Sequence, residues 1–339
     1  MKRIVVTGAA LLLVLFLLPI LLVDGPETAA EDMPPKDLPA FPSPAQITFL
    51  PDEPTEPGED ELTTLRVAME DGSVVEMTMA DYLWSVVAAE MPAAFEPEAL
   101  KAQAITARTY AVWKMAAGDA DHPDADVCTD ITCCQAYITP EQAAANWENT
   151  AAVYRQKIAS AVRSTNGQVI TYEGEPIQAV FFSSAAGRTE DAVAVWGTEV
   201  PYLVGVDSPE GEGVPNYQTE VTLTAAEVKK LVLARYPGAD LSGPAKNWFK
   251  NRTLTASGRV DTVDVGGITM KGTEVRALFG LRSACFTVET ESEKNTVTFH
   301  VTGYGHGVGM SQYGANALAK EGKTCEEILK WYYTGVKIG

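Results

Sequence analysis

Apolar and polar positions alternate from Thr64 to Met79 (TLRVAMEDGSVVEMTM), and Asp71-Gly72 in the middle is the signature of a tight turn. The spacing predicts a hairpin. From Ala80 the period changes. ADYLWSVVAAEM places apolar residues on most faces of a helix, and Thr78 with Asp81 three positions on resembles a capping box. Pro92 disfavours helical geometry at Met91, which ends this helix at about Glu90. Pro97 then stands where a first helical position belongs. Leu100, Ala104, Ala107 and Ala111 recur at helical spacing as far as Gly118, a C-terminal cap.

Farther along, NWENTAAVYRQKIASAVRSTNG (146–167) predicts a helix ended by Asn166-Gly167. QVITYEGEPIQAVFFSSAAG (168–187) predicts a hairpin around Glu173-Gly174, and GRVDTVDVGGITMKG (258–272) another. TAAEVKKLVLARYPG (224–238) and TEVRALFG (273–280) read as helices, and FTVETESEKNTVTFHVTG (286–303) as two strands. Ser311 opens a further helix, and Thr324 with Glu327 caps the last one. Most strand pairs are joined tightly, which favours antiparallel pairing. The fold class predicted is α+β, mixed helices with mostly antiparallel strands. There is no internal repeat.

The start of the chain follows a different rule. After Met1-Lys2-Arg3 come twenty uncharged residues, Ile4–Val23, enough to cross the ~30 Å hydrocarbon core of a bilayer. Thr28–Ala30 makes a poor cleavage site, so the pattern favours an uncleaved single-span anchor over a secretory signal. Lys2 and Arg3 would keep residues 1–3 cytoplasmic and send everything after Val23 outside. Residues 24–60 hold nine prolines and ten acids against one lysine. Such a segment buries little apolar surface and is expected to be an extended tether. It carries a net −9 of the formal −19, so the domain expected over 61–339 is only moderately acidic. The charge argues against nucleic acid as a partner.

Four constellations carry candidate chemistry. Glu90 comes first. At a helix C-terminus, among Val86, Val87 and Met91, the unsatisfied carbonyls and the apolar neighbours favour a protonated carboxyl. A glycosidic oxygen leaves poorly unless protonated, so a glutamate with a raised pKa is what a glycosidase acid requires. Arg108 and Lys101, on the next helix, would oppose that shift if either paired with Glu90. The competing reading is an exposed helix-end glutamate.

The second constellation is HPDADVCTDITCC: His122, Cys128, Cys133 and Cys134 fall within thirteen residues, as a Cys3His tetrahedral zinc set requires. Disulfides compete outside the cytoplasm, but three clustered cysteines are an odd number and Cys133 cannot readily bridge its neighbour Cys134. Four protein ligands leave no open position for water, so the expected zinc is structural. Cys285 and Cys325 stand apart and read as small core residues, with a mutual disulfide as the alternative. The third is GYGHGVGMSQYG: glycines at 303, 305, 307 and 309 with Tyr304, His306, Gln312 and Tyr313 put rings and hydrogen-bonding groups beside open backbone, as sugar binding requires. The spacing fits neither phosphate-binding glycine pattern. A tight turn between strand and helix is the plainer reading. The fourth is VFFSSAAGRTED, where Ser183 or Ser184 with His306 suggests a serine hydrolase. The nucleophile elbow is absent, and hydroxyls that bind substrate or cap a turn fit better.

DYLWSVVAAEMPAAFEPEALKAQAITARTYAV, the cysteine cluster, FFSSAAGRTEDA, SGRVDTVDVGG and GYGHGVGMSQYGANALAKEGKTCEEILKWYYTG occur in an order that resembles the stage II sporulation protein D family. The likeness runs from about Thr64 to Ile338. It implies a peptidoglycan lytic transglycosylase with a substrate cleft between two subdomains, acting on glycan strands already stripped of stem peptides by a partner amidase. It further implies a membrane scaffold of the engulfment machinery as a partner. Glu90, in AAEMP, takes the catalytic position. His122, Cys128, Cys133 and Cys134 take those of the zinc ligands, Cys133 where relatives often carry histidine. Arg108, Ser183, Ser184, Tyr304, His306 and Gln312 would line the cleft, with Tyr313 beside them. The same domain occurs in amidase enhancers, so a non-catalytic wall-binding module is the alternative. A zinc or serine hydrolase is disfavoured by the closed ligand set and the missing elbow.

Overall fold

The Pro97–Ala117 helix carries alanine at 99, 102, 104, 107 and 111, all fully buried, so neighbouring backbones approach it from every side. In the computed structural model, which describes residues 56–118 and 122–339, four helices surround it: Met79–Glu90, Ala151–Ser164, Gln312–Lys320 and Cys325–Tyr332. Leu100 and Ile105 are wholly buried on it, and each such side chain contributes roughly 1.5–3 kcal/mol. The anchor expected over 4–23 lies outside the described residues. Among the described residues, no helix is long and apolar enough to cross a membrane.

The predicted punctuation of the Glu90 helix holds. Thr78 caps it by accepting the Asp81 N–H (3.1 Å), and Met91, forced extended by Pro92 (φ −123°, ψ 133°), ends it. Thr78→Ala is expected to cost about 1 kcal/mol in urea unfolding. The next helix begins at Pro97 and stops at Gly118 (φ 67°).

Two expectations need correction. The helix predicted over 146–167 is broken: a Pro140–Trp147 helix, capped by Thr139 with Gln142, turns at Glu148 (φ 47°) before a second helix, Ala151–Ser164. Trp147 locks the break by packing against Trp84 and Tyr154, with ring centroids 5.9 and 5.7 Å away. The tether expected as far as residue 60 ends sooner. Glu59–Leu62 forms a helical turn, and Asp60 is buried in an ion pair that makes it part of the fold.

The described chain has two cores. One joins Leu65–Leu203 to Val308–Val336 around the helices above; the other spans Ala225–Val301 and includes Val228, Val265 and Phe299. The second is therefore an insertion within the first. Its sheets are antiparallel: Gln218–Thr224 and Phe286–Glu291 flank Thr296–Thr302, and Thr262–Val265 lies between Ile268–Lys271 and Phe249–Lys250. In the first core, Thr64–Ala68 pairs antiparallel with Val74–Thr78. The fold is α+β as predicted. Among the described residues, parallel pairing is limited to two short ladders, Val67-Ala68 with Val127-Cys128 and Met310-Ser311 with Phe181-Phe182, and an isolated bridge between Glu190 and Val308. The second ladder matters because it joins two of the candidate motifs.

Candidate active site and metal centre

Glu90 is the last residue of its helix and is partly buried. One carboxylate oxygen accepts the backbone N–H of Ala136 (2.7 Å), and its own carbonyl accepts the side-chain N–H of Gln312 (2.9 Å). Burial raises the pKa of this carboxyl, while the Ala136 N–H and the Gln312 amide oppose the rise. Neither Lys101 nor Arg108 intervenes. Lys101 pairs with Glu98 (2.7 Å), and Arg108 pairs with Asp60 (2.7 Å). Glu90 is thus a desolvated acid to which, among the described residues, no cationic side chain is bonded.

The metal cluster is assembled by the loop that also supplies Ala136. The ligand atoms of His122, Cys128, Cys133 and Cys134 all lie within 4.8 Å of one another. Zn–S bonds of ~2.3 Å and Zn–N bonds of ~2.0–2.1 Å in a tetrahedron set S···S at about 3.8 Å and S···N at about 3.5 Å. The Cys133–Cys134 sulfur separation is 3.8 Å, and Cys134 Sγ lies 3.5 Å from His122 Nε2. His122 Nδ1 faces the Ala125 carbonyl (3.2 Å), a partner that fixes the tautomer with Nε2 open to a metal. Three thiols so close bias one another's ionisation. Hydrogen bonds from Cys133 and Cys134 pull Cys128 down to about 2, while the bond to Cys128 pushes Cys134 up to about 11. A divalent cation is what lets all three ionise together. The donor set fits zinc.

Cys285 and Cys325 are not bridged to each other. The Cys325 N–H is held by Glu98 Oε2 (2.8 Å).

The glycine-rich and double-serine motifs meet through backbone. Tyr304 and Ser184 exchange both main-chain hydrogen bonds (3.0 and 2.9 Å), and the Ser183 carbonyl accepts the Tyr313 N–H (3.0 Å). Gly309 (φ 77°) shows what the glycines are for. A Cβ there would lie 2.1 Å from the Val180 carbonyl oxygen, so this backbone packs against protein, not against open space for a ligand.

His306 does not act on either serine. Its Nε2–H donates to the Phe181 carbonyl (2.9 Å), and Nδ1 accepts the Val308 N–H (3.2 Å). Burial drives its pKa down to about 4, so the ring is neutral and fully occupied. Ser184 is itself buried. Of the residues expected along a cleft, Tyr304 is exposed (43%), Tyr313 packs edge-on against Phe95 (4.9 Å), and Gln312 touches Glu90. Arg108 is a correction: it is only 2% exposed, and both the planar fork and the remaining N–H are used internally, so it cannot meet a substrate.

The family model described as SpoIID, Stage II sporulation protein, matches residues 70–172, which contain both Glu90 and the metal cluster. The chain is 40% identical over 267 residues to Stage II sporulation protein D of Bacillus subtilis (strain 168), an alignment covering 78% of this chain and 76% of the relative. The chain belongs to the stage II sporulation protein D family. The protein of the same name from Bacillus amyloliquefaciens is 39% identical, over 78% of this chain and 75% of the relative. An amidase enhancer of Bacillus subtilis (strain 168) is 29% identical over 308 residues, 76% of this chain and 40% of that longer protein.

In this member of the family, three supporting groups had no motif to announce them. The Ala136 N–H is a backbone donor and leaves no residue signature. Lys157 donates to the carbonyls of Ala94 and Phe95, clamping the loop that follows Glu90. Glu210 accepts the Ser311 hydroxyl (2.6 Å) and the Ala185 N–H, tying the double-serine motif to the helix that carries Gln312.

Proposed function

We propose that this chain is a membrane-anchored lytic transglycosylase of sporulation that cleaves MurNAc–GlcNAc bonds in peptidoglycan strands stripped of stem peptides. The observation that supports this best is a desolvated Glu90 that no cation among the described residues neutralises. Protonated, Glu90 gives its proton to the oxygen linking MurNAc C1 to GlcNAc. The C–O bond breaks and an oxocarbenium-like MurNAc forms. The carboxylate, steadied by the Ala136 N–H, takes the proton from the MurNAc 6-hydroxyl as that oxygen attacks C1. The products are a GlcNAc hydroxyl end and a 1,6-anhydro-MurNAc end. One carboxyl acts first as acid and then as base, so no second carboxylate is needed to activate water.

Digestion of peptide-free strands by the full chain in ¹⁸O-enriched water tests the reading. Anhydro-MurNAc ends without label are expected; labelled reducing ends mean hydrolysis instead. The amidase-enhancer relative motivates the second reading, a wall-binding module. It gains if strands stay whole while a partner amidase is still stimulated.

His122, Cys128, Cys133 and Cys134 would hold a structural zinc, which cross-links the loop when bound. Ala136 follows Cys134 by two residues, so order in this loop also holds the donor on Glu90. Freshly purified chain is expected to carry one zinc per chain by elemental analysis, lost in Cys128→Ser, and a chelator is expected to lower the melting temperature. A metal-free protein with Cys128 in a disulfide to Cys133 or Cys134 contradicts the assignment. The anchor at 4–23 and the tether after it would hold the folded region outside the membrane. Engulfment partners, a scaffold and an amidase, belong to the same proposal.

A further inference from the structure

Three guanidinium groups gather around the Gly303–Gly309 loop, and their partners differ. Arg259 packs flat on Gly307, where a Cβ would lie 2.7 Å from its Cζ. It donates to the Arg188 carbonyl (2.8 Å) and to the Ser257 hydroxyl (3.1 Å), which in turn donates to the buried carboxylate of Glu190 (2.6 Å). Arg259 is therefore tied into the fold through Nη1, although its Nε, like that of Arg282, is buried without a hydrogen-bond partner. Arg276 gives its Nε–H to the Leu281 carbonyl (3.3 Å).

Arg282 differs from both in that, among the described residues, its guanidinium has a ring beneath it and no carbonyl or hydroxyl partner. Its guanidinium lies 3.8 Å over the ring of Tyr304, itself exposed, and its Nε is buried with no hydrogen-bond partner. Among the described residues no carboxylate pairs with it, in a chain whose net charge is −19. An arginine stacked on an aromatic face keeps its planar fork oriented, and the edge of that fork matches a carboxylate.

The placement of this fork relative to Glu90 is set by backbone. The Arg282 carbonyl accepts the Gly305 N–H (2.9 Å), Tyr304 is bonded to Ser184, Ser183 to Tyr313, and Gln312, next to Tyr313, to Glu90. Burial pushes the Tyr313 phenol up and the charge of Arg282 opposes it, so the guanidinium is close enough for its field to reach that ring. Glu90, Tyr313, Tyr304 and Arg282 are thus linked in one continuous, hydrogen-bonded platform.

We propose that Arg282 binds the free lactyl carboxylate of a MurNAc unit and is a specificity-determining residue for glycan freed of its peptides. The inference rests on the transglycosylase reading and names the substrate feature that reading leaves open. When a stem peptide is attached, the lactyl carboxyl is an amide, neutral and followed by bulk. When the peptide is gone, the same group is an anion that an unpaired guanidinium recognises. The reaction that supplies this substrate is accordingly an amide hydrolysis at the lactyl group.

Peptide-free glycan oligomers with free lactyl carboxyls are compared with the same oligomers converted to lactyl N-methylamides. Calorimetric titration uses the full chain carrying Glu90→Gln, so that the oligomers stay intact, and rates of anhydro-end formation use the chain with Glu90 in place. The carboxylate oligomer is expected to bind about ten-fold more tightly, the scale of one charge-assisted hydrogen bond. Added salt should narrow the gap. Arg282→Met should abolish the difference by weakening only the carboxylate oligomer, and Arg282→Lys should keep part of it. Equal affinity for the two oligomers with Arg282 present overturns the proposal, as does an Arg282→Met chain that weakens both alike. The titration needs no cleavage. Failure to form anhydro ends therefore counts against the transglycosylase reading, while the affinity difference separately decides the role of Arg282.

Discussion

Replacing Glu90 by glutamine is expected to lower anhydro-end formation by roughly 10³-fold, the scale of a lost general acid–base group, and to raise the melting temperature at neutral pH. The two effects share one cause. Burial raises the Glu90 pKa in the folded chain, so folding favours its protonated form. That favourable contribution is fully present below the ordinary carboxylate pKa and is lost as pH rises through the raised value. Above it, the fold bears the whole penalty of a desolvated carboxylate. Glutamine keeps an oxygen for the Ala136 N–H and never ionises, so its advantage appears at neutral pH and vanishes in acid. Thermal melts of both chains across pH check the sign, and product analysis checks the rate. A variant as active as its parent removes Glu90 from the chemistry.

Arg108→Met is expected to destabilise the fold by about 3–5 kcal/mol, the usual result of orphaning one member of a buried ion pair. The pair is bidentate: Nε to Asp60 Oδ1 at 2.8 Å and Nη2 to Oδ2 at 2.7 Å, with Nη1 on the Gln168 carbonyl at 3.0 Å. These bonds pin the first described helical turn to the central helix and to the end of the Ala151–Ser164 helix. Adding Asp60→Asn to Arg108→Met should recover part of the loss, because the carboxylate left behind is what costs most. Urea unfolding of the two single variants and the double variant measures the coupling. A loss of activity with stability unchanged would restore Arg108 to the substrate side.

Local chemistry in the sequence carried much of this architecture. Pro92 and Pro97 bracket the Glu90 loop, and Thr78, Thr324 and the paired turn glycines end their elements where caps and left-handed backbone require. What the sequence hid depends on distant partners. Arg108 lies on the helix that follows Glu90, yet Asp60, forty-eight residues earlier and in an acidic, proline-rich stretch, claims it. Nothing in the period of 146–167 marks Glu148 as a break, since Trp147 is held there by rings from two other helices. The two-residue parallel ladders are too short to have a periodicity at all.

The candidate site divides in the same way. Glu90 and the His122–Cys134 cluster were legible because a helix end and a ligand spacing are local features. His306 looked like a functional histidine from composition, but Phe181 and Val308 occupy both its nitrogens. The raised Glu90 pKa was expected from a helix end and apolar neighbours. Burial is its leading cause, and a backbone donor at Ala136 moderates it.

The most direct test is a titration of the Glu90 carboxyl carbon by NMR, identified as the signal absent from the Glu90→Gln chain. A midpoint above the ordinary glutamate value, rising further when a peptide-free glycan covers the site, is the predicted result. A midpoint at or below the ordinary value, with and without glycan, would mean that the site does not favour the protonated acid, and would contradict the account.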